Sequence, residues 1–196
     1  MKGKLIILEG IDGSGTTTQS FLLYNILNKK YKVKLTKEPY NKKIINFIKR
    51  ANDPLVDLYF FLLDRYFHYN LIEKWLKEFN FVICDRSFPS TLAYQWYSTY
   101  LKNIIPENII LFLNKISRKN INPNYVFILD IDPKIALNRL AYKKNKSDIK
   151  KFEKIVFLKK VRKGYIYFAK KFKWYIIDAN QQINLVNQNI INKIKL

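Results

Sequence analysis

The feature that most restricts the fold of this chain is a glycine loop that directly follows a short apolar run. Residues 4–10 read KLIILEG, and the loop continues from Gly10 as GIDGSGTT. A buried strand, a glycine turn and a helix in that order form a phosphate-binding loop, because backbone N–H groups and the positive end of the helix face an anion. Gly10, Gly15 and Thr17 fit the pattern G-x-x-x-x-G-K-[ST], but Thr16 stands where lysine is expected.

The loop predicts a nucleotide site whose positive charge comes from elsewhere. Thr17 occupies the position of the hydroxyl that binds Mg²⁺, whereas Thr16 offers a hydroxyl and no charge to the transferring phosphate. A tight strand-to-helix turn without a ligand is the alternative. The residues expected to bind the phosphates are Gly10, Ile11, Asp12, Gly13, Ser14, Gly15, Thr16, Thr17 and Thr18.

Apolar runs of strand length recur along the chain with amphipathic segments between them. This alternation predicts one doubly wound α/β domain over residues 1–196, with functional side chains at the carboxyl ends of parallel strands. The runs centred on residues 6, 82 and 128 are continuously apolar, which is typical of strands buried on both faces. The predicted strands are 4–10, 31–39, 79–86, 124–132 and 173–180. The predicted helices are 17–30, 41–51, 55–78, 88–101, 106–119, 133–142, 151–171 and 181–195.

Composition narrows the functional classes. The net charge of +21 favours anionic ligands, but the lysines are spread along the chain, so nucleic-acid binding is not expected as the primary function. Such binding would be tight and strongly dependent on salt. The single cysteine, Cys84, lies in an apolar run and is expected in the core. No apolar run reaches the length of a membrane span, and the first is too short for a signal peptide, so we expect a cytoplasmic protein.

A second candidate site lies in the segment FFLLDRYFH. Phe61, Arg65 and His68 stand at i, i+4 and i+7, which places them on one face of a helix. An aromatic ring and a guanidinium one turn apart could stack on a base and hydrogen-bond its edge. The alternative places Phe61 in the core and Arg65 in an ion pair. His68 is expected to pack or to join a polar network.

A third segment, VICDRSFPSTLAYQ, places Asp85 and Arg86 at the end of a predicted central strand. Arginine can bind a phosphate with two parallel hydrogen bonds, and Asp85 can hold Mg²⁺ or a water molecule. A structural salt bridge between the two is the alternative. Ser90, Thr91 and Tyr94 follow on one face of the next predicted helix.

Taken together, these motifs resemble the thymidylate kinase family, within the P-loop nucleoside monophosphate kinase group. The matching segments are EGIDGSGTTTQ, TKEP, FFLLDR, VICDR followed by STLAYQ, FILDIDPKIALNRL and FEKIVFLKKVRKGY. The combination of DR-x₃-S-T-x-A-Y-Q with aromatic-x₃-Arg is more specific than the glycine loop. The resemblance implies a three-layer P-loop NTPase fold with a five-stranded parallel sheet flanked by helices, a homodimer through helix faces, and Mg²⁺-dependent transfer of the ATP γ-phosphoryl group to dTMP.

The resemblance also implies a role for each matching residue. Phe61 would stack on thymine, with Arg65 on its carbonyl edge and Thr91 near the base. Arg86 and Lys37 would hold the dTMP phosphate, and Tyr94 would crowd the 2′ position of the sugar. The metal would be held by Thr17, Asp12 and Glu153, and Asp12 and Asp85 would organise Mg²⁺ and water. The donor adenine would lie beside Ala179 and Asn180.

A short lid, about residues 140–151, is a further implication of the resemblance. Gly13 stands where one branch of the family has a loop arginine, which indicates the branch that takes its arginines from the lid. Here the lid carries Lys143, Lys144 and Lys146, preceded by Arg139. We therefore expect these lysines, Arg139 and Arg86 to supply the charge that Thr16 lacks.

Three departures from the family pattern leave alternatives open. Thr16 replaces the loop lysine, Lys37 replaces the usual arginine, and Tyr40 stands where glycine is common. The first leaves room for a nucleotide-binding paralogue with weak catalysis. The other two leave room for a kinase acting on another pyrimidine monophosphate, dUMP or UMP.

Overall fold

The computed structural model describes residues 3–51, 53–143 and 155–195, with the side chains of 42, 49–51, 142 and 143 left out. The strands are β1 (Lys4–Gly10), β2 (Val33–Lys37), β3 (Phe81–Asp85), β4 (Tyr125–Asp130) and β5 (Tyr175–Asp178). The α-helices are α1 (Thr16–Leu27), α2 (Lys42–Ala51), α3 (Pro54–Glu78), α4 (Phe88–Ser90), α5 (Leu101–Ile104), α6 (Glu107–Ser117), α7 (Pro133–Lys143), α8 (Ile155–Phe172) and α9 (Ile183–Ile191). A π-helix (Thr91–Tyr97) follows α4.

The five strands form one parallel sheet in the order β2-β3-β1-β4-β5. All five predicted strands and the predicted α/β fold are confirmed. The three continuously apolar runs became the three central strands, and residues 5–8 of β1 are fully buried. The edge strands β2 and β5 leave part of their side chains exposed.

Helices cover both faces of this sheet. In one layer α1 and α9 contact each other, and α1 packs on β1, β2 and β3. In the other layer α3 and α8 both contact the π-helix and reach the sheet at β3 and at β4 and β5. This arrangement leaves the carboxyl ends of the strands open between the two layers, which is the edge that the sequence analysis marked as functional.

The continuous helix predicted over 88–101 is wrong. The segment forms the short helix α4, then the π-helix, and then α5. The hydroxyl of Ser98 donates to the carbonyl of Ala93 at 2.6 Å, and that of Thr99 donates to the carbonyl of Gln95. Hydroxyls that bond to carbonyls of the preceding turn compete with the α-helical ladder, and these two lie in the gap between the π-helix and α5.

The end of α7 covers the beginning of the predicted lid. Residues 144–154, which include Lys144, Lys146 and Glu153, lie outside the described residues, and Lys143 is described for its backbone alone. In the described parts of the chain, every helix is too short or too polar to cross a membrane.

Candidate active site

A cleft of about 990 Å³ opens at the carboxyl edge of the sheet. Its walls are the loop and first turn of α1, residues 12–19, together with Arg86, Arg139, Ala179 and the first turn of α9. Residues predicted to bind a nucleotide come from both halves of the sequence, and they line the same cleft. Two predicted loop residues lie behind this wall, since Gly10 ends β1 and Ile11 belongs to the core.

Gly13 and Gly15 give the loop its shape. Their φ angles are 86° and 96°, in the left-handed region that side chains rarely adopt. A Cβ atom at Gly13 would also collide with the carbonyl oxygen of Ala136 on α7. The close approach of α7 therefore leaves no room for a side chain at this position. Ser14 is buried in the same loop, and its hydroxyl has no partner among the described residues.

Thr17 and Asp85 are brought together from α1 and β3. The Thr17 hydroxyl donates to Asp85 Oδ2 at 2.6 Å. The second carboxylate oxygen, Oδ1, is buried and makes no hydrogen bond within the described ranges. A hydroxyl and an unpartnered carboxylate oxygen are ligands of the kind that Mg²⁺ accepts. The two residues therefore fit a magnesium ion, which Thr17 would hold and Asp85 would organise.

Arg86 faces the loop rather than its neighbour in sequence. Its guanidinium pairs with Asp12 Oδ1 at 2.7 Å and lies over the ring of Tyr94, 5.5 Å from the centroid. The Tyr94 hydroxyl accepts a hydrogen bond from the N–H of Asp12 at 2.9 Å. The alternative of an Asp85–Arg86 salt bridge is therefore wrong, because Asp85 binds Thr17 of α1 and Arg86 binds Asp12 of the glycine loop.

Arg139 and the segment after β5 form the far wall of the cleft. Arg139 donates to the carbonyl oxygen of Ala179 at 3.1 Å, and both residues line the cleft. Asn180 instead shapes the turn, since its side chain accepts from the N–H of Asp132 and donates to Asp178. The loop has no cation at Thr16, which is 5 % exposed at the start of α1. Among the described residues, the cationic side chains that line the cleft are Arg86 and Arg139.

Arg65 lies at the centre of a buried polar network. Its Nε donates to Glu38 at 2.9 Å, and its two terminal nitrogens donate to Asn114 at 2.9 Å and to Thr91 at 2.8 Å. Asn114 is held in turn by a bond from its amide nitrogen to the carbonyl of Ile110. Each partner accepts from Arg65, so the guanidinium is fixed in orientation.

Glu38 carries the charge that balances Arg65. Burial raises the pKa of its carboxyl, but Arg65 and the hydrogen bond with His68 outweigh burial, and the pKa lies below its ordinary value. His68 bonds Thr36 at 2.8 Å and Glu38 at 3.3 Å, which confirms its expected polar-network role. Glu38, His68 and the buried Cys84 lie within 4.8 Å of one another. The Arg65 pairing already occupies the carboxylate, so we treat this cluster as part of the network.

The remaining predicted acceptor residues surround this network. Phe61 is half-buried and is not part of the core, so the alternative that placed it there is wrong, while the ion pair expected in that alternative for Arg65 is confirmed. Lys37 is exposed and lies beside Asp85 in the register of β2 and β3. Tyr40 stacks on His68 with 4.6 Å between ring centroids, which gives this departure from glycine a packing role.

Four further residues of the site escaped the sequence analysis. Glu9 is fully buried at the end of β1 and accepts hydrogen bonds from Ser87, Ser90 and Tyr165. Burial raises its pKa to about 7, although Arg86 and these hydrogen bonds lower it. For Glu9 and Asn114 the available signal was a polar residue inside an apolar run. The missed residues are Glu9, Glu38, Asn114 and Tyr165.

The sheet order, the glycine loop and the charged groups at the strand ends define a P-loop nucleotide-binding enzyme. The family model for thymidylate kinase matches residues 8–190. A thymidylate kinase of Aster yellows witches'-broom phytoplasma is 36% identical over 204 residues, which cover 97% of this chain and 96% of the relative. A probable thymidylate kinase of Saccharolobus solfataricus is 36% identical over 197 residues, 98% of this chain and 97% of its own.

A solved structure gives the same result. The crystal structure of thymidylate kinase from Ehrlichia chaffeensis superposes with a TM-score of 0.78 at 30% identity, and 100% of each chain is covered. The chain belongs to the thymidylate kinase family and is a kinase.

Proposed function

We propose that this protein transfers the γ-phosphoryl group of ATP to dTMP, giving dTDP and ADP in one in-line step. The observation that carries the proposal is that the phosphate loop, Thr17 and Arg86 line one cleft, with Asp85 bonded to Thr17. The guanidinium of Arg65 is fixed in a buried network that includes Thr91. Phosphoryl transfer needs positioning and charge neutralisation more than covalent chemistry. These residues supply both.

The donor side is built by the loop and the far wall. Backbone N–H groups of the loop and the first turn of α1 bind the phosphates of ATP, and Ala179 borders the adenine. Mg²⁺, when bound by Thr17 and Asp12 with Glu153, offsets charge on the transferring group. Asp85 orients the Thr17 hydroxyl through their 2.6 Å bond.

The acceptor side follows from what the fixed groups can donate. Arg65 has five N–H donors, of which three are bonded to described residues, so it can still donate to a ligand. A donor-only group selects the carbonyl edge of thymine, while Phe61 stacks on the ring. Arg86 and Lys37 hold the acceptor phosphate, with Thr91 near the base, and Tyr94 crowds the 2′ position against ribose.

Charge that Thr16 lacks comes from other elements. Arg86 and Arg139 both line the cleft that the loop forms. Together with Lys143, Lys144 and Lys146 of the lid, they neutralise the charge of the phosphates. Lysine neutralises phosphate as a point charge but orients it less than an arginine fork. The protein is therefore proposed to be an active kinase despite its unusual loop.

The direct test is ADP formation from ATP and Mg²⁺ with dTMP, dUMP and UMP in parallel, for the natural protein and for Thr16→Lys. We expect brisk turnover of dTMP by the natural protein, weaker turnover of dUMP and little of UMP. Turnover only after Thr16→Lys would support the alternative of a nucleotide-binding paralogue with weak catalysis. Substantial turnover of UMP would contradict the role of Tyr94 and support another pyrimidine monophosphate as substrate.

A homodimer through helix faces is the proposed assembly. The outer faces of α3 and α6, which contact each other, carry a stripe of exposed apolar side chains, with Tyr59 62% and Phe112 57% exposed. A group of exposed apolar side chains on two neighbouring helices is typical of an interface. The stripe consists of Val56, Tyr59, Leu63, Tyr66, Phe67, Ile109, Phe112 and Ile116.

Charge placed on this stripe is expected to convert the dimer to monomer. The variant Tyr59→Glu/Phe112→Glu buries two carboxylates if it pairs, which opposes association. Phe21→Glu on α1, where the phenylalanine is 55% exposed, is the matched control and should remain dimeric. Light scattering coupled to size exclusion gives the mass. A natural protein that is monomeric at tens of micromolar would contradict the assembly.

The proposed setting is the cytoplasm, and the proposed catalytic unit is a single domain. Cys84 is buried as a free thiol, which suits a reducing compartment. One sheet carries every described strand, in keeping with one domain over residues 1–196.

A further inference from the structure

A buried carboxylate that the proposed reaction does not use lies at the centre of the site. Glu9 Oε1 accepts from the N–H groups of Ser87 at 2.6 Å and Ser90 at 3.3 Å. Glu9 Oε2 accepts from the hydroxyls of Ser90 at 2.6 Å and Tyr165 at 2.8 Å. A carboxylate is costly to bury unless it is well bonded. These four bonds tie β1, the turn after β3 and helix α8 to one group.

The turn that Glu9 holds contains Arg86. Arg86 has a φ angle of 69°, a left-handed conformation that a side chain adopts only when its surroundings impose it. Its own N–H donates to the carbonyl of Leu8 at 2.9 Å, and the next N–H in the chain donates to Glu9. Neighbouring residues of β1 thus fix the backbone on both sides of Arg86.

The guanidinium of Arg86 is fixed through the same group. One terminal nitrogen pairs with Asp12, and the other lies 3.5 Å from the hydroxyl of Ser90. That hydroxyl is itself bonded to Glu9. Loss of the carboxylate would therefore loosen both the backbone and a side-chain partner of Arg86.

We propose that Glu9 is a positioning residue for the acceptor phosphate, because its carboxylate holds the 86–90 turn in the conformation that aims Arg86 into the cleft. This inference rests on the proposed function, in which Arg86 binds the phosphate of dTMP. It adds a residue that contacts neither nucleotide and acts through the orientation of Arg86.

The charge on Glu9 gives the proposal a signature in pH. The titratable groups around it are Arg86, Cys84 on β3 and Tyr165 on α8. Burial raises the pKa of the Cys84 thiol and of the Tyr165 phenol well above their ordinary values, so both stay neutral. Burial raises the pKa of Glu9 to about 7. Above this pH the ionised carboxylate accepts stronger, charge-assisted hydrogen bonds from the turn, and below it they weaken.

The test is Glu9→Gln, which preserves shape and removes the charge. At pH 8.5 we expect kcat/KM for dTMP to fall about 100-fold, the scale of a misplaced binding group, while KM for ATP stays within about twofold. The melting temperature at pH 8.5 should not fall, since the variant no longer buries a charge. The gap between the two proteins should narrow towards pH 6, where the natural Glu9 is protonated.

Two further variants sharpen the result. Tyr165→Phe removes one of the four bonds and keeps the ring, so it should lower kcat/KM for dTMP in the same direction by a smaller factor. Glu78→Gln, an exposed glutamate at the end of α3, is the control and should match the natural protein. A Glu9→Gln protein with unchanged kcat/KM for dTMP at pH 8.5 would overturn the proposal.

A parallel loss for ATP and dTMP with a lower melting temperature would also overturn it, since that pattern indicates a purely structural role. Failure of the proposed function is a separate result. It would show in the natural protein as absence of dTMP turnover, before any variant is compared.

Discussion

Replacement of Arg86 by methionine is expected to lower kcat/KM for dTMP by about 10³-fold, the scale on which a fixed cation stabilises a transferring phosphoryl group. Several contacts within the site hold Arg86 in one position. Asp12, Tyr94 and the left-handed backbone all fix its guanidinium. Because Thr16 carries no charge, the loop has no second cation of its own to compensate for the loss.

Steady-state kinetics with dTMP and ATP varied separately provide the measurement. Arg86→Lys keeps the charge and loses the fork, so it should recover part of the activity and no more. Lys160→Met, an exposed residue on α8, removes one positive charge outside the cleft and should leave kcat/KM nearly unchanged. An Arg86→Met protein within tenfold of the natural one would contradict the role given to Arg86.

The sheet was predictable from sequence because burial on both faces leaves a local signal. The apolar runs at 4–10, 79–86 and 124–132 became the central strands β1, β3 and β4, and their ends lie within two residues of the predicted ends. Most of the amphipathic segments between them became helices, because a helix that buries one face also leaves a periodic signal. The π-helix was not predictable, because the hydroxyl bonds of Ser98 and Thr99 that accompany it leave no period in the sequence.

The positions of the site were more predictable than its contacts. Strand ends and motif spacing picked out Thr17, Asp85, Arg86 and Arg65, and the structure brings the first three to one cleft edge. Sequence could not give their partners. Arg86 pairs with Asp12 and not with Asp85, and Arg65 binds Glu38 and Asn114. Such pairings depend on which strands and helices become neighbours.

Two of the missed residues share one physical cause. Glu9 and Asn114 are polar groups inside runs that read as core, and each is separated from its partners by dozens of residues in the chain. A pattern of apolar residues shows that a position is buried, but it does not show which hydrogen-bond partner lies beside it. Buried polar side chains of this kind are identified only once the partner is placed.

Disruption of the buried Glu38–Arg65 pair is expected to cause the largest loss of stability among the proposed variants. Glu38→Gln leaves the Arg65 guanidinium, 1% exposed, without its balancing charge. Removing one partner of a buried pair typically costs about 3–5 kcal/mol of unfolding free energy. Arg65→Met should cost a similar amount, because it leaves the buried Glu38 carboxylate without its arginine partner. Urea unfolding of each variant gives the free energies.

The double variant Glu38→Gln/Arg65→Met separates stability from function. It removes both charges, so its unfolding free energy should recover much of what each single change loses, while KM for dTMP should remain raised because the guanidinium proposed to bind the base is gone. The exposed pair Glu73–Lys119 is the control cycle, with an expected coupling below about 1 kcal/mol.

Acid supplies an independent check on the same pair. The folded-state pKa of Glu38 lies below its ordinary value, so its contribution to stability is complete above the unfolded pKa and is lost as the pH falls through the folded one. The natural protein should therefore lose more stability than Glu38→Gln below about pH 4.5, near the ordinary pKa of a glutamate. Strictly additive losses in the double variant, with equal acid sensitivity, would show that Glu38 and Arg65 are not coupled.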